Sequence, residues 1–78
     1  MTVNLADLRT LVGLQLGIRN VDESARFMED LAAESADILN IVLAVEDKYG
    51  IAIDEAELSD VRTITDLYAL VQQKVTPD

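Results

Sequence analysis

The sequence predicts an all-α fold: a small antiparallel four-helix bundle of three longer helices and one short helix, with a long loop between the first and second helices. Three observations point to it. Apolar side chains recur three and four apart over residues 3–16, 35–49 and 63–74, the spacing of a stripe along a helix. Capping residues and glycines punctuate those stretches. Each candidate helix is also too short to stand alone in water, so the stripes must bury against one another.

In the first stretch, Val3, Leu5, Leu8, Leu11, Val12 and Leu16 form one apolar stripe. Asn4, with Asp7 three residues later, or Thr2 supplies its cap, and Gly17 ends it. Gly13 lies inside and weakens the helix. From Ile18 to Glu34 the periodicity fails. Asn20, Asp22, Glu23 and Ser24 read as a solvated loop with Ile18 and Val21 turned inward, while Phe27, Met28 and Leu31 pin the connection to the core.

Residues 35–49 carry the strongest helical pattern. Ile38, Ile41, Val42, Val45 and Tyr49 fall on one arc at 100° per residue. Ala36, Asn40, Leu43, Ala44 and Asp47 lie opposite, with Asp37 and Glu46 on the flanks. Leu43 is either a lone exposed leucine or an apolar contact set among carboxylates for a partner. Gly50 ends this helix, and Ile51 to Ile53 form a short extended link. Asp54 with Glu57 opens a helix of about two turns, through Asp60. Thr63 with Asp66 opens the last, through Lys74, with Ile64, Leu67, Tyr68 and Val71 inward and Pro77 in a short tail.

Composition narrows the function. The 78 residues allow one small domain, spanning 1–78, and its core is aliphatic because Phe27, Tyr49 and Tyr68 are the only aromatics. There is no cysteine and no histidine, so the usual nucleophile–base pairs and the commonest metal ligands are missing. Fifteen Asp and Glu against six Lys and Arg give a net charge of −9, which repels phosphate backbones and favours partners with basic surfaces. No apolar run is long enough to span a membrane and no cationic leader precedes one, so a soluble, cytoplasmic, monomeric protein is expected. Asp54, Glu55, Glu57 and Asp60 lack the glycine and the spacing of a calcium loop. Adjacent carboxylates such as Glu29-Asp30 and Glu46-Asp47 read as a solvated acidic face, so no catalysis is expected from the chain itself.

Ser35 stands where the acidic connection turns into the strongest helix. Its residue type suits a plain cap, and its place at the positive end of a helix dipole suits a phosphate attached to its hydroxyl. The surrounding run Phe27-Met28-Glu29-Asp30-Leu31-Ala32-Ala33-Glu34-Ser35-Ala36-Asp37 resembles the phosphopantetheine attachment site of acyl carrier proteins. The similarity extends nearly end to end, through Leu16-Gly17, the run from Ala44 to Ile51, and Thr63-Ile64-Thr65-Asp66-Leu67.

That resemblance implies a carrier: a phosphopantetheinyl transferase would place a 4'-phosphopantetheine arm from coenzyme A on Ser35, and the arm's thiol would hold acyl groups as thioesters for enzymes of fatty acid, polyketide or related lipid biosynthesis. It also implies that synthases and acyl-transfer enzymes dock through basic patches on Glu34, Ala36, Asp37, Asn40, Leu43, Glu46 and Asp47. An acyl pocket would be lined by Phe27, Val42, Val45, Ile53, Val61 and Leu67. Glu34 and Ala36 depart from the Asp and Leu usual beside the serine, Asn40 and Lys48 reduce the acidity of the helix, and Ala32 replaces a common glycine. Those departures bear on partner choice and make a specialised pathway at least as fitting as housekeeping fatty acid synthesis. A stand-alone peptidyl or aminoacyl carrier, and an acidic helical adaptor in which Ser35 only caps, are the alternatives.

Overall fold

The computed structural model describes residues 3–75, so Thr2 and Pro77 lie outside the described residues. Four helices follow one another: α1 (Leu5–Leu16), α2 (Ser35–Tyr49), α3 (Glu55–Leu58) and α4 (Ile64–Val75). The only strand-like pairing among the described residues is an isolated antiparallel bridge between Arg26 and Thr63. The expected small helical bundle is the observed fold.

Asn4 is the cap of α1, its side chain accepting from the N–H groups of Ala6 at 2.8 Å and Asp7 at 3.4 Å. Gly17 ends the helix with a left-handed backbone (φ 69°), as Gly50 does for α2 (φ 64°). α1 packs against both α2 and α4. Leu8, Val12, Ile41, Val45, Ile64, Leu67 and Val71 are fully buried where the three helices meet. Tyr49 also lies in this core, its hydroxyl buried without a partner among the described residues. Burial, and secondarily the charge of Asp7, push the pKa of this phenol up.

Gly13 has a different role from the weak point its type implies. The chain turns back after α1, and the Ile18 N–H donates to the Gly13 carbonyl at 2.9 Å. A β-carbon at Gly13 would sit 2.7 Å from the Ile18 carbonyl oxygen. The glycine therefore admits the returning backbone.

The connection from α1 to α2 is ordered by hydrogen bonds as much as by apolar anchors. Val21, Phe27 and Ala33 are buried and Leu31 is half-buried, but Met28, expected to pin the loop, is 53% exposed. Arg9 Nε donates to the Val21 carbonyl at 2.9 Å, and Thr65 donates to the Glu23 carbonyl through both its N–H and its hydroxyl. Phe27 N–H donates to the Arg62 carbonyl at 2.9 Å, and Ala33 N–H to the Phe27 carbonyl at 2.8 Å. Asn20 (φ 52°) and Ala32 (φ 56°) take left-handed backbone without being glycine.

α3 is shorter than the two turns expected, ending at Leu58. The following N–H groups of Asp60 and Val61 bond three residues back, to Glu57 and Leu58, so the chain tightens out of the α-helix before reaching α4. Thr63 and Asp66 then cap α4 reciprocally: the Asp66 N–H reaches the Thr63 hydroxyl at 3.1 Å, and the Thr63 N–H reaches Asp66 Oδ2 at 3.2 Å.

Gly13→Ala should lower the unfolding free energy by about 1 kcal/mol or more, because crowding against backbone outweighs alanine's better helix propensity. Urea denaturation reads this directly. A midpoint equal to or above that of the parent chain would show that the turn at Gly17 and Ile18 yields freely.

Candidate functional site

The start of α2 is built by two carboxylates. Glu34, not Ser35, is the N-cap, in extended backbone (φ −95°, ψ 169°). The Glu34 N–H donates to Asp37 Oδ2 at 2.9 Å, and the Glu34 side chain faces the Asp37 N–H in return. The first intrahelical bond runs from Ile38 N–H to the Glu34 carbonyl at 3.0 Å. Ser35 is thus the first helical residue rather than the cap its type suggests. Its side chain is exposed, and its hydroxyl has no hydrogen-bond partner among the described residues. The neighbours do the capping and leave that oxygen free.

Ser35 stands on a cleft of about 670 Å³ between the connection, the first turn of α2 and the α3 region. Phe27, Met28, Ile38, Leu39, Leu58 and Val61 give it apolar walls, and Glu29, Glu55, Ser59 and Arg62 supply polar groups. Of the acyl-pocket residues implied by resemblance, Phe27 and Val61 line this cleft. Val42, Val45 and Leu67 are instead buried, and Ile53 is half-buried in the link after α2. The sequence reading missed Met28, Ile38, Leu39, Leu58 and Arg62 as a group, because only the folded chain brings the three segments together.

Along α2, Ala36, Asn40, Leu43 and Asp47 are exposed, and Leu43 (53%) and Leu39 (56%) are large apolar side chains open to solvent. Asp37 and Glu46 are only half exposed, and each is engaged. Asp37 accepts from Glu34, while Glu46 Oε2 accepts from the Ile53 N–H at 2.8 Å and so fixes the turn out of the helix. Lys48 lays its ammonium 5.7 Å from the centre of the Tyr49 ring.

In the connection, Arg26 bonds Asp30 through its N–H (2.8 Å) and guanidinium (3.2 Å), with Glu29 at 3.4 Å. The Arg26 side chain, then its backbone N–H, hold the Asp30 carboxyl below the usual aspartate range.

Residues 6–71 match the family described as the phosphopantetheine attachment site. Acyl carrier proteins are among the similar chains. That of Chlamydia muridarum is 31% identical over 70 residues, covering 87% of this chain and 91% of that protein. That of Wolinella succinogenes is 32% identical over 68 residues, covering 85% and 90%. The chain belongs to the acyl carrier protein family. The acyl carrier protein of Thermotoga maritima, 27% identical over 70 residues, is a further relative, covering 87% of this chain and 86% of that one.

The family's group is phosphopantetheine, and the residues present fit it. A phosphodiester needs an accessible, unengaged hydroxyl, and Ser35 has one. The Ser35 and Ala36 N–H groups precede the first intrahelical bond and have no intrahelical acceptor. The apolar cleft alongside offers a flexible chain somewhere to lie. Among the described residues no helix is long and apolar enough to cross a membrane, and no cluster of three or more Asp or Glu could hold a metal ion.

The Asp30 pairing sets the sign of a pH effect. A carboxyl whose folded pKa lies below its ordinary 3.8 stabilises the fold above that pH and loses its contribution as pH falls through the lowered value. Asp30→Asn should therefore melt lower than the parent chain at pH 7, with the gap closing below about pH 4. Thermal melts from pH 7 to pH 2 check this, and parallel curves would show that the pair does not act in the folded state.

Proposed function

We propose that Ser35 is the attachment point of the phosphopantetheine arm, and that the chain is a carrier which ferries acyl groups between enzymes and catalyses nothing itself. The observation that carries this reading is an exposed helix-start hydroxyl, released from capping by Glu34 and Asp37, at the edge of an apolar cleft and inside the region matching the attachment-site family. When attached, the arm supplies the thiol on which acyl groups are held as thioesters, a nucleophile the cysteine-free polypeptide lacks. The protein's own part is to hold the Ser35 oxygen outward, to keep helix-start N–H groups near it, and to offer Phe27, Ile38, Leu39, Leu58 and Val61 as a partial shelter.

Docking follows from the outer face of α2. Leu43 and Asp47 are free of internal partners, so an apolar contact with a charged rim is available to a basic surface. Ala36 and Asn40 share that exposed face, and Glu34, Asp37 and Glu46 shape it while held in hydrogen bonds. Rim charges of this kind raise encounter rates more than affinity, which suits a shuttle that must let go. The partners are then a phosphopantetheinyl transferase and the synthase and acyl-transfer enzymes of a fatty acid, polyketide or related lipid pathway. The protein works as a cytoplasmic monomer.

Incubation with coenzyme A and a broad-specificity phosphopantetheinyl transferase should raise the intact mass by one arm in the parent chain and leave Ser35→Ala unchanged. No gain in the parent would end the carrier reading in favour of an acidic adaptor, and a gain in both would move the site off Ser35. Asp47→Lys should slow association with the transferase by about threefold to tenfold at low salt with helicity intact. Stopped-flow rates equal to those of the parent would take this face out of the interface.

A further inference from the structure

The field around Ser35 is wrong for an anion on one side. Glu34 precedes it, Asp37 lies in the same first turn of α2, and the Asp37 carboxylate already accepts from the Glu34 N–H. A phosphodiester on the Ser35 oxygen adds a negative charge between two carboxylates, in a chain that already carries −9. Helix-start N–H groups offset part of that repulsion, leaving a demand for a cation nearby.

The six cations are not equally free to answer it. Arg9 contacts Glu23 at 3.8 Å, Arg26 is held by Asp30 and Glu29, Lys74 pairs with Glu57 at 2.9 Å, and Lys48 covers the Tyr49 ring. Among the described residues, Arg19 and Arg62 are left with guanidiniums that pair with no carboxylate, although the chain has fifteen. Arg19 lines a different groove, against α1. Arg62 lines the cleft on which Ser35 stands.

The backbone holds Arg62 in that place. Its carbonyl accepts from Phe27 N–H, its own N–H donates to Asp66 Oδ2 at 3.0 Å, and the Phe27 carbonyl accepts from Ala33, two residues before Ser35. Two hydrogen bonds thus connect the Arg62 backbone to the approach to α2. Glu29 and Glu55 are the carboxylates of the same lining; Glu29 is paired with Arg26, and Glu55 makes no ion pair among the described residues.

We infer that Arg62 is a positioning residue for the arm: its guanidinium pairs with the phosphodiester on Ser35 and draws the root of the arm over the cleft. A planar donor fork suits a phosphate better than a point charge does. This inference rests on the attachment proposed above.

The test compares apo and arm-bearing forms of the whole chain, with attachment at Ser35 first verified by intact mass. In the parent, attachment should shift the Arg62 Nε–Hε resonance in nitrogen–proton spectra and leave that of Arg19 in place. The added charge should leave the parent's melting temperature nearly unchanged at low salt, while in Arg62→Gln attachment should lower it by about 1–5 °C, the effect of one exposed charge pair in a domain this size. Arg62→Lys should restore most of the parental behaviour, Arg19→Gln should match the parent, and about 0.5 M salt should erase the difference. Verified attachment with an unmoved Arg62 resonance and identical melting shifts in the parent and Arg62→Gln would overturn the inference while leaving the carrier reading intact. Absence of any mass gain would overturn both.

Discussion

The hydrogen bond from Phe27 N–H to the Arg62 carbonyl joins two irregular segments that no helix connects. With it, the connection after α1 lies beside the entry to α4, and the buried Phe27 ring joins the core. Without it, the cleft would lose one wall, because Phe27 and Met28 come from the connection while Val61 and Arg62 come from the far side. Supporting ties from Thr65 to Glu23 and from Arg9 to Val21 repeat the same logic along the connection. A bundle of short helices needs its loops as structural members, since no single helix is stable alone.

Capping divides labour at the functional helix. Two neighbouring acids satisfy the helix start, so the serine between them need not. An inward-turned acid, Glu46, closes the other end by holding the Ile53 N–H, while Asp47 beside it stays free. The same kind of side chain thus serves folding at one position and stays exposed without an internal partner at the next, and only the direction in which each leaves the helix separates the two.

Much of this was legible in the sequence. The bounds of α2 follow from its apolar arc and Gly50, and the Thr63–Asp66 cap follows from residue type and spacing. The family resemblance pointed to the carrier fold. What escaped were facts set by tertiary contact. Gly13 reads as a helix weakener until the Ile18 carbonyl is seen to lie against it. Serine outranks glutamate as a cap in general preference, yet Glu34 with Asp37 forms the better reciprocal pair here. Met28 is apolar and reads as an anchor pinning the connection to the core, whereas it borders an open cleft. Arg62 carried no signal at all, because nothing local distinguishes an unpaired arginine from a paired one.

Ala32 gives the approach to the serine a particular mechanical character. An alanine in left-handed backbone sits about 1 kcal/mol or more above its preferred geometry. Neighbouring bonds therefore enforce the bend against its own preference, with the buried Ala33 anchored to Phe27 on one side and the Glu34–Asp37 pair closing the other. Either brace, if lost, would remove part of what holds this bend, and the bend leads directly into the helix entrance. The position of the Ser35 oxygen is thereby tied to the integrity of the loop just upstream.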